Sequence, residues 1–384
     1  MQWPKHRPTL NSHIGAIMTQ EPLPTGSTIG ILGGGQLGRM MAMAATKLGY
    51  QTHILCPEHD CPAAAVSDQI TTAGYTDIAT LTSFTESVDV VTLEFENIPL
   101  IAAKTVEKHG ALFPSSHVLE VCQHRMKEKQ SINDCGIQTA PFKAATSLEE
   151  ATQAAEEIGF PCIFKTCTMG YDGKGQVKVD SADAVQPAWE QLASDDVIIE
   201  GFVPFDKEAS VIVARNQAGE VMCYPLVENI HKNHILHQTI APADLPESVE
   251  KEAKHIATTL AEKLELIGIM AVELFVGKDG SLKVNELAPR PHNSGHWSID
   301  ACEVSQFEQV IRAVVGLPLQ APNQHTNAIM TNLIGDDIHG AESRLGANEH
   351  LHVYGKKEAR PGRKMGHITK LLPAGSAKQL GKAS

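Results

Sequence analysis

The chain has 384 residues, 42% of them hydrophobic and 20% charged, with a formal net charge of −13. That length allows two or three domains with real cores, and the composition is ordinary for a globular chain. The acidic balance excludes a broad electrostatic footprint for nucleic acid, and no apolar run approaches the ~20 residues needed to span a membrane.

In chain order, residues 1–27 read as a disordered tail: the first 26 hold four prolines and no periodic apolar pattern. A buried-type strand is predicted at Thr28–Leu32, followed by Gly33-Gly34-Gly35-Gln36-Leu37-Gly38 and a helix over 39–48. Strands follow at Gln51–Cys56 and 88–95, with a helix near 78–84 between them. Strand–helix alternation of this kind predicts a parallel, doubly wound sheet over 28–115. The glycines at 33, 35 and 38 satisfy G-x-G-x-x-G, and Glu58 sits about 20 residues on, as a dinucleotide site requires. The same turn binds any phosphate, because helix-end N–H groups favour anions. The motif alone leaves a nicotinamide cofactor and another phosphate ligand both open.

The next unit is predicted over 116–318. A capped helix starts at Ser116, runs through Arg125, Lys127 and Lys129, and stops near Gly136. An amphipathic helix covers Leu148–Ile158. A strand over 160–165 enters the loop Thr166-Cys167-Thr168-Met169-Gly170-Tyr171-Asp172-Gly173-Lys174-Gly175 and leaves by the strand Gln176–Val179. These glycines join two strands, unlike a Walker loop, so the segment can fold down as a flap. Lys165 can reach nucleotide phosphates while the Gly173 and Gly175 amides cradle them. A flexible hairpin with a solvated lysine is the plain alternative. Strands at 197–200, 208–215 and 221–226 suit an antiparallel sheet. Glu200-Gly201-Phe202-Val203 with Glu208 suits an adenosine slot, although such acids are usually solvated. His231, His234 and His237 point to different faces of an extended segment and predict no metal, with His231 near the nucleotide.

A long helix at 248–264 precedes a strand at 269–276. Gly277-Lys278-Asp279-Gly280-Ser281 is a turn cluster, so a hairpin returns through Val284-Asn285-Glu286. If Gly277 pairs with Leu282, Glu273 faces Glu286. Like charges so placed repel unless something positive intervenes. Either Mg²⁺ sits between them, with Mn²⁺ also compatible, or the acids face water. Arg290, His292 and Asn293 follow at once. After a helix at 305–315 the composition shifts, and short strands at 328–333, 350–354 and 367–371 predict a small β-rich unit over 319–374. The run 354–367 concentrates cations including Lys356 and Arg363. It is either a solvated face or a phosphate site. Residues 375–384 read as a mobile tail. None of the eight cysteines forms a Cys-x-x-Cys pair, so structural zinc is poorly supported and reduced, cytoplasmic thiols are the default.

Taken in order, Gly33–Met40, Thr92-Leu93-Glu94-Phe95-Glu96-Asn97, Gly170–Gln176, Asn285–His296 and the Arg360–His367 run resemble the ATP-grasp ligases. Within them the chain is most similar to the ATP-dependent 5-(carboxyamino)imidazole ribonucleotide synthases. The resemblance implies an α/β fold with an N-terminal Rossmann-like parallel sheet, a central antiparallel α+β ATP-grasp unit, a β-rich C-terminal unit and a homodimer. It implies carboxylation of aminoimidazole ribonucleotide with MgATP and bicarbonate, through carboxyphosphate. Nucleotide or its metal would meet Arg125, Lys165, Gly170, Tyr171, Asp172, Gly173, Lys174, Gly175, Gln176, Glu200, Gly201, Phe202, Val203, Glu208, His231, Asn285 and Glu286, with Glu273 and Glu286 as metal ligands. Bicarbonate would meet Arg290, His292 and Asn293, with Lys165 assisting catalysis. Gly35, Gln36, Leu37 and Glu94 would form the ribonucleotide wall, closed by Tyr171, Lys174, Lys356 and Arg363. Two departures from the family pattern stand out. His124 replaces an Asp, and Cys167, Thr168 and Met169 replace Arg and Gly residues. Competing expectations are a formate-using glycinamide ribonucleotide transformylase, an NAD(P) oxidoreductase built on 33–38, and a nucleotide sensor without turnover.

Overall fold

In the computed structural model, which describes residues 21–170 and 173–373, the first layer is built from runs too apolar to sit at a surface. β1 (Thr28–Leu32), α1 (Gln36–Lys47), β2 (Gln51–Cys56), β3 (Gln69–Thr72), α2 (Ile78–Ser87), β4 (Val90–Leu93) and α3 (Leu100–His109) follow one another. Their strands form a parallel sheet in the order β3-β2-β1-β4. Asp77 caps α2 by accepting from the Thr80 N–H at 3.1 Å. The weakly patterned β3 and α3 were not expected. Residues 21–27, grouped on sequence with the tail, are held in place: Leu23 N–H donates to Val315 O at 2.8 Å, and Tyr50 Oη donates to Leu23 O at 2.8 Å. Residues 1–20 and 374–384 lie outside the described residues.

The single helix predicted from Ser116 is two helices, α4 (Ser116–Gln123) and α5 (Arg125–Asp134). The chain turns extended at His124 (φ −124°, ψ 109°), and the Arg125 N–H donates to Cys167 O at 2.9 Å. β5 (Phe142–Ala145), α6 (Leu148–Ile158), β6 (Cys162–Thr166), β7 (Gln176–Val179), α7 (Val185–Leu192) and β8 (Val197–Gly201) come next. They make an antiparallel sheet, β5-β8-β6-β7, with α6 and α7 burying Ala151, Ala155 and Ala188 against Phe164 and Ile199.

The remaining strands share one larger sheet. They are β9 (Lys207–Arg215), β10 (Val221–Cys223), β11 (Val227–Lys232), β12 (Ile235–Ala241), β13 (Gly268–Val276), β14 (Leu282–Ala288), β15 (Asn327–Ile334), β16 (Glu349–Val353) and β17 (Lys364–Leu372). The order is β14-β13-β9-β11-β12-β15-β17-β16, with β10 on β9. The C-terminal strands therefore extend the central sheet, through pairs such as Thr239↔Met330. The helices among these strands are α8 (Glu247–Lys263), α9 (Ser298–Ala301) and α10 (Gln306–Val315). Strand alternation sorts the core: Val211, Val213, Met270 and Val272 face α8, while Ile212, Ala214, Ile269 and Ala271 face α10. No helix among the described residues is long and apolar enough to cross a membrane.

The β13–β14 register corrects one expectation and keeps its consequence. Val276, and not Gly277, lies opposite Leu282. Glu273 nevertheless faces Glu286, because Asn285 is an extra residue where the register shifts. Leu282 and Val284 point into the core beside α8. Strict alternation would send Glu286 there too. The bulge reverses the parity, so Leu287 enters that core and Glu286 is turned out of it.

Candidate active site

Between the two antiparallel sheets lies a cavity of 1140 Å³, lined from all parts of the fold. From the first layer come Gln36, Leu37 and Glu94. From the helix pair and the small sheet come Arg125, Lys165, Gly170, Gly173, Lys174, Gln176, Glu200, Gly201, Phe202 and Val203. The large sheet and the loop after it add Glu208, His231, Glu273, Asn285, Glu286, Arg290, His292 and Asn293. Most residues expected at the site are thus in one place. Tyr171 and Asp172 lie outside the described residues. Gly35 and Gly175 sit behind the lining.

The first glycine loop answers the question its motif left open. Gly35 N–H and Gly38 N–H donate to the two oxygens of Glu94 at 2.5 and 2.6 Å. A Cβ at Gly35 would stand 2.5 Å from Glu94 Oε1. The anion seat of this turn is filled by the chain's own carboxyl, whose pKa burial raises above the ordinary range. A dinucleotide pyrophosphate has no place there.

On the small sheet, Lys165 Nζ donates to Glu200 at 2.9 Å, and Lys129 Nζ lies 3.3 Å from its other oxygen. Burial alone would raise the Glu200 pKa, but the Lys165 and Lys129 ammonium groups bring it down to about 2. Burial pushes Lys165 below its ordinary value, and the nearby Lys129 and Arg125 add to this against the pull of Glu200. Two ammonium groups share one carboxylate, which leaves positive field for a polyanion. Lys129 is fully buried and was passed over on sequence, where an α5 lysine reads as solvated. Phe202 lies under Lys178 Nζ, 5.5 Å from the ring centroid, and Phe205 stacks on Phe275 at 4.7 Å. Phe205 and Phe275 also line the cavity, an apolar flank absent from the sequence reading.

At the hairpin, the two facing acids already have side-chain partners. Arg125 donates to Glu286 Oε2 at 3.0 Å, and His292 Nε2 lies 3.1 Å from Glu273 Oε1. Burial would raise the Glu273 pKa; His292 lowers it to about 2. The expected repulsion is therefore relieved by side chains. The remaining oxygens of Glu273 and Glu286 are hard donors, and Asn285 Oδ1 is buried without a hydrogen-bond partner among the described residues. This oxygen set fits a Mg²⁺-class cation. Glu208 pairs with His231 Nδ1 at 2.9 Å. Arg290 forks onto Glu96, with Nη2 2.7 Å from Oε1. Asn293 exchanges hydrogen bonds with Asn332 of β15 at 3.0 and 2.6 Å, so a buried C-terminal residue orients it.

Two expected phosphate cations do not line the cavity. Lys356 Nζ donates to Lys364 O at 2.7 Å, and Arg363 Nη1 donates to Glu358 O at 3.1 Å. Lys364 lines it instead. The loop still reaches the first layer: Lys357 pairs with Asp60 at 2.6 Å, and the Lys356 charge acts on Glu94. Gly173 (φ +77°) brings the glycine loop down onto the β11–β12 turn, where a Cβ would meet His234 at 2.5 Å.

Glu128 carries a measurable consequence. Its carboxyl accepts from Leu287 N–H at 2.7 Å. Burial, then repulsion from Glu286, raises its pKa from 4.5 to about 8. An acid whose folded pKa is raised keeps its proton to higher pH in the folded chain than in the unfolded one, so its contribution to stability is greatest below 4.5 and is lost as pH rises toward 8. The slope is about 1.4 kcal/mol per pH unit from this group. Glu128→Gln keeps the acceptor and removes the titration. Its Tm is expected to fall less than the parent's between pH 5 and pH 8; parallel Tm–pH curves would reject the shift.

A Rossmann-like first layer, two antiparallel sheets gripping a cavity, and Lys165 facing an acidic hairpin across it define an ATP-grasp ligase. Family models agree: a ribonucleotide synthetase preATP-grasp domain matches residues 26–123, an ATP-grasp domain 130–307, and a phosphoribosylaminoimidazole carboxylase C-terminal domain 328–378. The N5-carboxyaminoimidazole ribonucleotide synthase of Brucella melitensis biotype 1 is 46% identical, over 93% of this chain and 99% of that protein. The bifunctional purine synthesis protein purC/E of Dictyostelium discoideum is 48% identical over 90% of this chain, which spans 37% of that longer protein. A solved N5-carboxyaminoimidazole ribonucleotide synthetase with ADP superposes with a TM-score of 0.89 at 44% identity, covering 91% of this chain and 94% of the other. The enzyme of Aspergillus clavatus, solved with ADP and 5-aminoimidazole ribonucleotide, gives 0.86 at 31% identity, covering 91% and 94%. The chain belongs to the N5-carboxyaminoimidazole ribonucleotide synthase family.

Proposed function

We propose that this chain carboxylates the exocyclic amine of 5-aminoimidazole ribonucleotide, using ATP and bicarbonate, as a step of purine biosynthesis. The observation that carries the reading is the bulged hairpin, which turns Glu286 toward Glu273 in a cavity whose opposite wall holds Lys165. In this reading Glu273, Asn285 and Glu286 hold Mg²⁺, which when bound neutralises charge on the terminal phosphates. Lys165 takes the phosphate oxygens, with Glu200 releasing part of its hold on it, while the buried Lys129 keeps Glu200 compensated. The Phe202–Val203 edge and Phe205 flank the adenine, and Glu208 with His231 meets the ribose side.

A bicarbonate oxygen held by Arg290 and His292 attacks the γ-phosphorus as the bond to ADP breaks. The resulting carboxyphosphate delivers its carboxyl carbon to the substrate amine; phosphate leaves and the amine proton departs to solvent. The glycine-rich loop that lines the cavity at Gly170, Gly173 and Lys174 would shield this labile anhydride from water. Gln36, Leu37 and Glu94 form the ribonucleotide wall, with Gly35 fixing Glu94 and with Lys174, Lys356 and Arg363 drawn in on closure. The family likeness also supports a homodimer and a cytoplasmic setting.

The test is phosphate release by the purified protein, with aminoimidazole ribonucleotide and bicarbonate omitted in turn. Full release is expected only when both are present. Release with formate in place of bicarbonate would favour the transformylase, and release without any acceptor would favour a bare ATPase. No NADH binding is expected by fluorescence titration, since Glu94 fills the glycine turn; tight binding would revive the oxidoreductase.

A further inference from the structure

Where the glycine-rich loop leaves the small sheet, three metal-ligating side chains from distant parts of the chain converge. His124 stands in the break between α4 and α5, Cys167 follows β6, and Asp196 precedes β8. His124 Nε2 lies 3.2 Å from Asp196 Oδ2, and the Cys167 sulfur sits beside the same pair. One ligand atom from each residue lies within 4.8 Å of the other two. The backbone fixes the cluster: Cys167 N–H donates to Asp196 O and Arg125 N–H to Cys167 O, both at 2.9 Å. Cys167 is 1% exposed, whereas the Asp196 side chain is 50% exposed and opens the cluster to solvent. His124 Nδ1 is buried with no hydrogen-bond partner among the described residues, so the imidazole is incompletely satisfied as it stands. The three residues lie 29 or more positions apart in the chain, so no spacing motif links them.

We propose that His124, Cys167 and Asp196 form a site for a borderline-soft divalent transition ion of the Zn²⁺ class, separate from the Mg²⁺ position at Glu273 and Glu286. The donor set, one sulfur, one imidazole nitrogen and one carboxylate oxygen, is that of tetrahedral zinc. Bond lengths of about 2.0–2.2 Å place two nitrogen or oxygen ligands of one tetrahedral ion roughly 3.3–3.5 Å apart, close to the observed His124–Asp196 separation. Mg²⁺ prefers oxygen ligands and octahedral geometry, so the sulfur discriminates against it. A water on the open side completes the coordination. Binding exchanges the thiol proton for the ion: the S–H bond breaks, an S–metal bond forms and the proton leaves to solvent.

The occupied site ties the end of β6 to the start of β8 and to the helix break beside Arg125. Arg125 in turn donates to Glu286 and, at 3.4 Å, to Gly170 O. An ion here ties Cys167 to the helix break that positions Arg125 on Glu286, so Zn²⁺ acts as a brake on turnover.

The probe is Co²⁺, titrated into metal-free full-length protein without nucleotide. A near-ultraviolet thiolate-to-cobalt band is expected, saturating at equimolar metal and bleached by Zn²⁺. Cys167→Ser abolishes the band, Asp196→Asn keeps the thiol but weakens the metal affinity, and Glu286→Gln leaves the band in place. In the presence of excess Mg²⁺, added Zn²⁺ lowers ATP cleavage in the parent, and the ratio of rates with and without Zn²⁺ returns toward one in Cys167→Ser. A missing band, a band that survives Cys167→Ser, or equal Zn²⁺ sensitivity in both proteins overturns the proposal. The spectrum needs no turnover, so it stands or falls apart from the ligase reading.

Discussion

Replacing Glu286 with Gln is expected to reduce metal-dependent ATP cleavage by ~10²–10³-fold, the scale of losing one preorganised charge partner at a reacting phosphoryl group. The substitution keeps the shape of the side chain and its hydrogen bond from Arg125, now 3.0 Å from Oε2. What disappears is the negative charge that a divalent cation needs. The fold should persist, because Glu286 lies on the cavity side of the bulge and contributes nothing to the apolar core formed by Val284 and Leu287. Rates measured against Mg²⁺ concentration separate two cases. A metal ligand shifts the Mg²⁺ requirement upward, whereas a residue that only orients Arg125 lowers the rate at every Mg²⁺ concentration alike. Near-normal turnover at ordinary Mg²⁺ removes the metal assignment. Glu273→Gln should behave differently, because its carboxylate also carries His292 at 3.1 Å. Loss of that charge frees the imidazole and disturbs the bicarbonate side as well.

How much of this was legible in the chain depends on the range of the interaction that decides each feature. The acid pair and the glycine loops announce themselves locally, through residue types packed into a few positions. The bulge at Asn285 does not. Turn chemistry around Gly277–Ser281 suggested a register that the strands do not adopt, and Glu286 faces Glu273 only because an extra residue restores the alignment. The β11–β12 hairpin was missed for a related reason: its turn uses Asn233 and His234 at φ 51° and 63°, with no glycine to mark it. Lys129 and Glu128 lie on a helix that reads as a solvated face. Their burial comes from β14, whose Asn285 O accepts from Lys129 at 3.2 Å and whose Leu287 N–H is taken by Glu128. The role of Glu94 required knowing that β4 runs beside β1, so that its end meets the glycine turn. The C-terminal strands form the expected β-rich unit, but their pairing with β12 was not legible because α8, β13, β14, α9 and α10 lie between.

Arg290→Ala tests the oxyanion side, and the structure makes it a compound experiment. The guanidinium is forked onto Glu96, with further support from Nη1 to Pro291 O at 3.1 Å. Its remaining N–H groups are the ones offered to a small anion. Removing them is expected to raise the bicarbonate KM by ~10–100-fold, since charge-assisted hydrogen bonds contribute about 1.5–3 kcal/mol. The same change strands Glu96, whose carboxyl Arg290 holds below the ordinary range against the upward push of burial. An uncompensated, largely buried carboxylate costs about 3 kcal/mol, so the single variant should also melt earlier. The double variant Glu96→Gln with Arg290→Ala separates the effects. It removes the stranded charge and should recover most of the lost Tm, while the bicarbonate KM stays high. Glu96→Gln alone keeps the cation and should retain near-parental carboxylation. A parental bicarbonate KM in the folded double variant would mean that Arg290 serves only as the tie between the first layer and the hairpin loop, and bicarbonate would have to be held elsewhere.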